Sequence, residues 1–267
     1  MELITSSSNP KIKHARSLRQ RKWREESGSF LVEGIHPVGV AVEAGFDLTT
    51  VFYAPDFLES LFAHELIERL KTQGIPCYAT SGDVFTSLAD KENPQGILAV
   101  ARQSRLGLGD LTAENFHWGV ALVAPQDPGN VGTILRTIDA VGASGLLLLE
   151  NSVDPYHPTA VRASMGAIFR KAVATSSFAD FTRWARPQGY HIYGSSAHAE
   201  RDYHQVENYP MPAILLLGSE REGLTPEQCT VCEQILRLPM RGKVTSLNLA
   251  VAAGVLLYAM LDRDEQG

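Results

Sequence analysis

Between residues 119 and 240 the chain alternates short, uninterrupted apolar runs with longer stretches of helical period, the pattern of a parallel sheet buried on both faces. The apolar runs are GVALVAP (119–125), LLLLE (146–150), KAVAT, YHIYGSS, AILLLGSE (213–220) and QILRLPM (234–240). VGTILRTIDAVGA, AVRASMGAIF and FADFTRWARPQG place apolar residues three or four apart and read as helices, as does the final stretch SLNLAVAAGVLLYAMLDR (246–263). Upstream, Asn9 suits an N-cap and Pro10 a first helical position, predicting a helix to about Arg24 with a thin apolar stripe of Ile12, Ala15 and Leu18. FLVEG (30–34), TTVFYA (49–54), IPCYAT and GILAVARQ (96–103) then read as strands, separated by helices over VGVAVEAG, DFLESLFAHELIERLKTQG (56–74) and GDVFTSLAD. SRLGLGDLTAEN (104–115) has glycines and no period. The pattern therefore predicts an α/β protein of two domains, residues 1–105 and 116–267, joined by a linker at 106–115.

Composition changes this picture little. The 44% apolar and 20% charged residues are ordinary for a globular chain. No apolar run approaches the roughly 20 residues that span a bilayer. The N-terminus has no hydrophobic stretch behind its charges, so a cytoplasmic location and no membrane partner are expected. Three cysteines cannot close a disulfide framework. Cys229 and Cys232 form a CxxC without a second ligand pair, so no metal site is expected and the two are read as neighbours on one helix face.

Charge matters through its distribution. The net charge is −6, yet residues 1–24 carry seven basic side chains, Lys11, Lys13, Arg16, Arg19, Arg21, Lys22 and Arg24, against the single acid Glu2. A basic arm on an acidic body suits a phosphate backbone, and these seven residues are the candidate RNA-binding set.

Three polar, glycine-bearing segments follow directly on apolar strands, where parallel sheets place their ligands. They are QDPGNVGTILR (126–136), GSEREGL (218–224) and LPMRGKVTSLN (238–248). A phosphate-binding GxxxxGK[ST] is absent, because Val244 follows Gly242-Lys243 and Arg237 stands at the first glycine position. No GxGxxG follows a strand either.

Together, in order and spacing, these segments resemble the three motifs of the SpoU (TrmH-like) branch of the SPOUT RNA methyltransferases. The resemblance implies a deep C-terminal trefoil knot, a homodimer, and S-adenosylmethionine as methyl donor to a ribose 2'-hydroxyl. Carried over by position, it implies that Gly218, Leu238 and Leu247 bind the cofactor, with Ser195 and Ser196 contributing from another loop. It implies catalytic roles for Asn130, Arg136, Glu220, Ser246 and Asn248. Asn130 would also cap its helix, and Ser246 and Asn248 would open the last one. NPKIKHARSLRQRKWREESGSFLVEGIHPVGVAVEAG resembles the small α/β sandwich, related to ribosomal RNA-binding proteins, that precedes many SpoU enzymes. The implied substrate is 23S ribosomal RNA. The alternatives are a transfer-RNA 2'-O-methyltransferase, or a non-catalytic RNA-binding assembly factor on the same scaffold.

Overall fold

In the computed structural model, residues 3–90 and 93–264 are described. The N-terminal elements are α1 (Pro10–Ser17), α2 (Arg21–Ser27), β1 (Ser29–Glu33), α3 (Ile35–Glu43), β2 (Leu48–Tyr53), α4 (Leu61–Thr72), β3 (Cys77–Ala79), α5 (Gly82–Leu88) and β4 (Ile97–Arg102). They are followed by β5 (Trp118–Val123), α6 (Pro128–Ala140), β6 (Gly145–Leu149), α7 (Pro158–Ala163), β7 (Ala172–Ser176), α8 (Phe178–Ala185) and β8 (His191–Ser195). The series ends with β9 (Arg201–Asp202), β10 (Ala213–Leu217), α9 (Pro226–Cys229), β11 (Gln234–Arg237) and α10 (Leu249–Asp264).

Contacts divide the chain into two units, 1–104 with 156–169, and 105–155 with 170–267. The first holds a four-stranded sheet of order β1-β4-β2-β3, in which β4 runs antiparallel to β1 and β2 while β3 is parallel to β2. Its core joins the stripe Ile12, Ala15 and Leu18 to Phe85 and Leu88 of α5 and to Phe52 and Leu98 of the sheet. The predicted helix from Asn9 to Arg24 is two helices. Asn9 caps α1 through Lys11 N–H, but the chain turns at Leu18–Gln20, where the Arg24 guanidinium donates to the carbonyls of Leu18 and Arg19 at 2.9 and 2.7 Å.

Residues 156–169, placed by the sequence pattern in the second domain, pack in this first unit. The Phe30 ring lies 4.6 Å from that of Tyr156 and 6.4 Å from that of Phe169. Tyr156 Oη accepts from Ser104 N–H at 2.9 Å, and Arg162 pairs with Asp90 at 3.2 Å.

The second unit holds a seven-stranded sheet of order β7-β6-β5-β10-β8-β11-β9, parallel at every pairing. Its central strands are apolar on both faces, as burial between helical layers requires. Every residue of β5, β6 and β10 is buried. The supposed linker is part of this unit. Leu111 and Phe116 are buried in its core, and the Phe116 ring sits so close to Gly119 that a β-carbon there would meet it at 2.1 Å. The absence of a helical or strand period in 104–115 reflects an irregular path over the core, with apolar anchors spaced by packing.

Candidate active site

The three polar segments meet at the carboxyl ends of β5 and β10. Asp127 caps α6 by accepting from Gly129 N–H, with Pro128 at the first helical position, so Asn130 is not the cap. It stands inside the first turn, 7% exposed, with its side chain directed at the other two segments. Asn130 Nδ2 donates to Glu220 Oε1 at 3.1 Å, and Asn248 Nδ2 donates to Asn130 Oδ1 at 2.9 Å. Asn248 Oδ1 then accepts from the N–H groups of Ala250 and Val251, which opens α10.

The polarity of this chain is fixed from one end. An ionised carboxylate can only accept, so Asn130 must offer it the amide nitrogen, and its remaining oxygen must receive Asn248. The main-chain N–H of Gln126, 3.2 Å from Oε2, and that of Asp127, 3.4 Å from Oε1, also point at Glu220. Partial burial raises the Glu220 pKa. The hydrogen bonds from its own backbone, the Asn130 amide and the Gln126 and Asp127 N–H groups outweigh it, and the carboxyl sits below the usual glutamate value.

Beside this network lies a cavity of about 400 Å³ whose lining includes Ser195, Ser196, Gly218, Glu220, Leu238 and Leu247. Ser246 lines it as well. Gly218 is where the backbone of the β10 loop doubles back, with Ser219 bridging Gly223. A β-carbon on Gly218 would lie 1.9 Å from the carbonyl carbon of Gly223, so only glycine allows this closure. His198, Arg221, Glu222, Met240 and Thr245 also line the cavity. A loop residue carries no periodicity to mark it in the sequence, and the signal that points to these five is adjacency, since each lies within two residues of Ser196, Glu220, Leu238 or Ser246.

Arg136 is not brought into this arrangement. It lies on an exposed position of α6, does not line the cavity, and has no hydrogen bond or ion pair among the described residues. Cys229 ends α9 while Cys232 lies beyond it, so the two do not share a helix face. Burial, then the neighbouring Cys229, pushes the Cys232 thiol up to about 12. Among the described residues no group of three or more His, Cys, Asp or Glu is placed to hold a metal ion.

The basic arm divides by role. Lys11, Lys13 and Lys22 are exposed, and Arg21 is exposed but paired with Glu25 at 2.6 Å. Arg16 donates to Ser87 Oγ at 2.7 Å, and Arg19 donates to the carbonyls of Leu88 and Ala89, satisfying the end of α5. Arg24 is 1% exposed. Its assignment to RNA binding is corrected: a guanidinium enclosed by main-chain carbonyls cannot reach a phosphate.

Residues 118–258 match the profile of the SpoU rRNA Methylase family, and residues 9–99 match that of the MRM3-like substrate binding domain. The chain is 34% identical over 248 residues to the 23S rRNA (uridine(2479)-2'-O)-methyltransferase of Streptomyces viridochromogenes, covering 90% of this chain and 85% of that protein. It is 29% identical to the 23S rRNA (guanosine(2553)-2'-O)-methyltransferase RlmP of Bacillus subtilis, covering 97% and 98%. Its fold superposes on the crystal structure of an AdoMet-bound rRNA methyltransferase from Sinorhizobium meliloti with a TM-score of 0.88 at 32% identity, over 97% of each chain.

Proposed function

Because the chain belongs to the SpoU rRNA methylase family, we propose that it methylates a ribose 2'-hydroxyl of 23S ribosomal RNA, with S-adenosylmethionine as the methyl donor. The observation that carries the reading is the hydrogen-bonded chain Glu220–Asn130–Asn248, which draws three separate segments to one edge of a cavity. The cavity fits such a cofactor. Its volume lies within the roughly 300–1,000 Å³ of small-molecule pockets, and Leu238, Leu247 and Met240 offer apolar cover for a purine. Glu220 and Glu222 supply negative charge for a sulfonium. Gly218 allows the close approach of backbone to ligand, and Ser195 and Ser196 present hydroxyls from the end of β8.

When bound, the cofactor supplies an electrophilic methyl group. The residues of the chain then have to align the ribose oxygen with it and stabilise the charge that develops there. Arg136 presents a guanidinium, a cation with N–H donors and no acceptor, and is unsuited to take a proton. Its role is to clamp the neighbouring phosphate and the developing alkoxide, while the hydroxyl proton passes to that phosphate or to water. Glu220, kept ionised, holds Asn130 in its orientation, and Ser246 and Asn248 complete the polar edge. Val251, Val255 and Tyr258 leave α10 with an exposed apolar face, which supports the homodimer. The trefoil knot belongs to the same reading, as does cytoplasmic location. Relatives named for 23S RNA, together with a match to a substrate-binding domain, favour ribosomal over transfer RNA.

The test is nucleoside mass spectrometry of 23S RNA incubated with the protein and isotopically labelled S-adenosylmethionine. Label on a 2'-O-methyl nucleoside is expected. Label on a base, or none, overturns the reading. Arg136→Ala is expected to bind RNA and lose at least about a hundredfold in kcat, on the scale of losing a transition-state charge contact. Full activity in that variant would remove Arg136 from the reaction.

A further inference from the structure

The N-terminal unit carries a second cavity, of about 670 Å³, at the open edge of its sheet. β3 is the edge strand there, and the start of the described chain runs beside it, with Ile4 N–H donating to the Ala79 carbonyl at 2.9 Å and Ile4 bridging Thr80. Leu3, Thr5 and Ser6 therefore form one wall of the cleft, and Lys11, Lys71 and Tyr78 form part of the rest. Lys11 Nζ stands 5.1 Å from the centroid of the Tyr78 ring, and Lys71 Nζ stands 5.6 Å from that of Tyr53. Leu3 is 47% exposed, an apolar side chain left uncovered at the mouth.

A partly exposed aromatic face, two ammonium groups and a pair of hydroxyls in one cleft make a demanding combination. A nucleotide answers all three, with its base on the ring, its phosphate on the cations, and its base edge or ribose on the hydroxyls. Free mononucleotides and single-stranded RNA share this chemistry, and two observations favour the strand. Lys71 is shared with Glu68 at 2.6 Å, which leaves Lys11 as the main anion contact and makes a poor site for a compact, highly charged nucleotide. Lys13 is also exposed on α1, so the positive surface continues beyond the cleft, as a polymer requires.

We propose that this cleft takes one unpaired nucleotide of the RNA substrate, stacked on Tyr78 with its phosphate on Lys11. Docking moves the Lys11 ammonium from the ring, where a base would lie, to the phosphate, a swing its flexible four-carbon stem allows. The contact lies on the N-terminal unit, and it selects RNA by the presence of an unstacked base. The inference rests on RNA being the substrate.

The experiment uses the full chain and a single-stranded oligoribonucleotide carrying 4-thiouridine. The expected result is a photo-crosslink mapping to Tyr78 or to residues 3–6, with weaker crosslinking when the same strand is paired into a duplex. In fluorescence anisotropy, Tyr78→Ala and Lys11→Glu are each expected to weaken binding about tenfold, the scale of one lost base stack, while Tyr78→Phe stays within about twofold of the unaltered chain. Crosslinks confined to other surfaces, or full affinity in both disruptive variants, would overturn the proposal. So would uridine monophosphate binding as tightly as the oligonucleotide, which would mark a mononucleotide site. The crosslink needs no variant, so misfolding of Tyr78→Ala leaves the proposal decidable. Ribose methylation with unaltered RNA affinity in the variants removes the cleft alone. Crosslinking to Tyr78 without any methylation removes the proposed reaction alone.

Discussion

Glu220 is a surface carboxylate that the fold treats as a hub, with main-chain donors on one side and the Asn130 amide on the other. Its pKa is depressed, so the stability it contributes is present above the ordinary glutamate value and is lost as pH falls through the lower, folded one. Glu220→Gln is expected to flatten that part of the acid limb in thermal melts recorded between about pH 5 and 3. An unchanged acid limb would show that the hydrogen bonds to Glu220 are not formed in solution. Gly218 makes a sharper demand, because a β-carbon has no room beside the Gly223 carbonyl. Gly218→Ala should weaken S-adenosylmethionine binding at least about tenfold by calorimetry, the β10 loop being forced open. Arg24 makes a demand of a third kind. Replacing it by Ala removes the donors for the Leu18 and Arg19 carbonyls and should cost about 2 kcal/mol or more in urea denaturation.

At the scale of elements, legibility followed local chemistry. Apolar runs marked β5, β6 and β10 because those strands are buried on both faces, and Asn9-Pro10 marked the start of α1 because capping is a short-range event. The break between α1 and α2 escaped because it depends on Arg24 folding back on the preceding turn, and an arginine in a basic run carries no sign of which way it points. The start of α6 escaped for a related reason: Asp127 and Asn130 are both good caps, and only the tertiary pull of Glu220 and Asn248 draws Asn130 inward. The mixed direction of the first sheet was likewise hidden, since an alternation of helices and strands does not say which strands pair. Arg16, Arg19 and Arg24 are occupied within the fold, which lowers the number of phosphates that α1 and α2 can neutralise to at most four. Replacing Lys11, Lys13 and Lys22 together by Ala should reduce the slope of log affinity against log salt by about 2 to 3, whereas Arg24→Ala should leave that slope unchanged. A drop of about 1 in Arg24→Ala, the share of a single phosphate contact, would return that residue to the interface.

For the molecule as a whole, the sequence suggested two domains met end to end, while contacts assign residues 105–116 to the second unit and 156–169 to the first. Periodicity could not reveal this exchange, because α7 has the ordinary pattern of a helix while the flanking rings of Tyr156 and Phe169 pack on Phe30, more than a hundred residues earlier. The consequence concerns anyone who cuts the gene. A fragment ending at residue 104 would take with it Phe30 and Phe46 but leave behind Tyr156 and Phe169, rings 7% and 6% exposed in the intact chain. Two such aromatics bury roughly 150–250 Å² each, worth up to about 8–12 kcal/mol at about 25 cal/mol per Å². That is of the order of the entire stability of a small domain, about 5–15 kcal/mol. The fragment is expected to bind a hydrophobic dye and melt without a cooperative transition, and appending residues 156–169 through a short flexible tether should restore the transition. The functional gene segment is thus a discontinuous one, and a substrate-binding module cut at the apparent linker would be missing part of its own core.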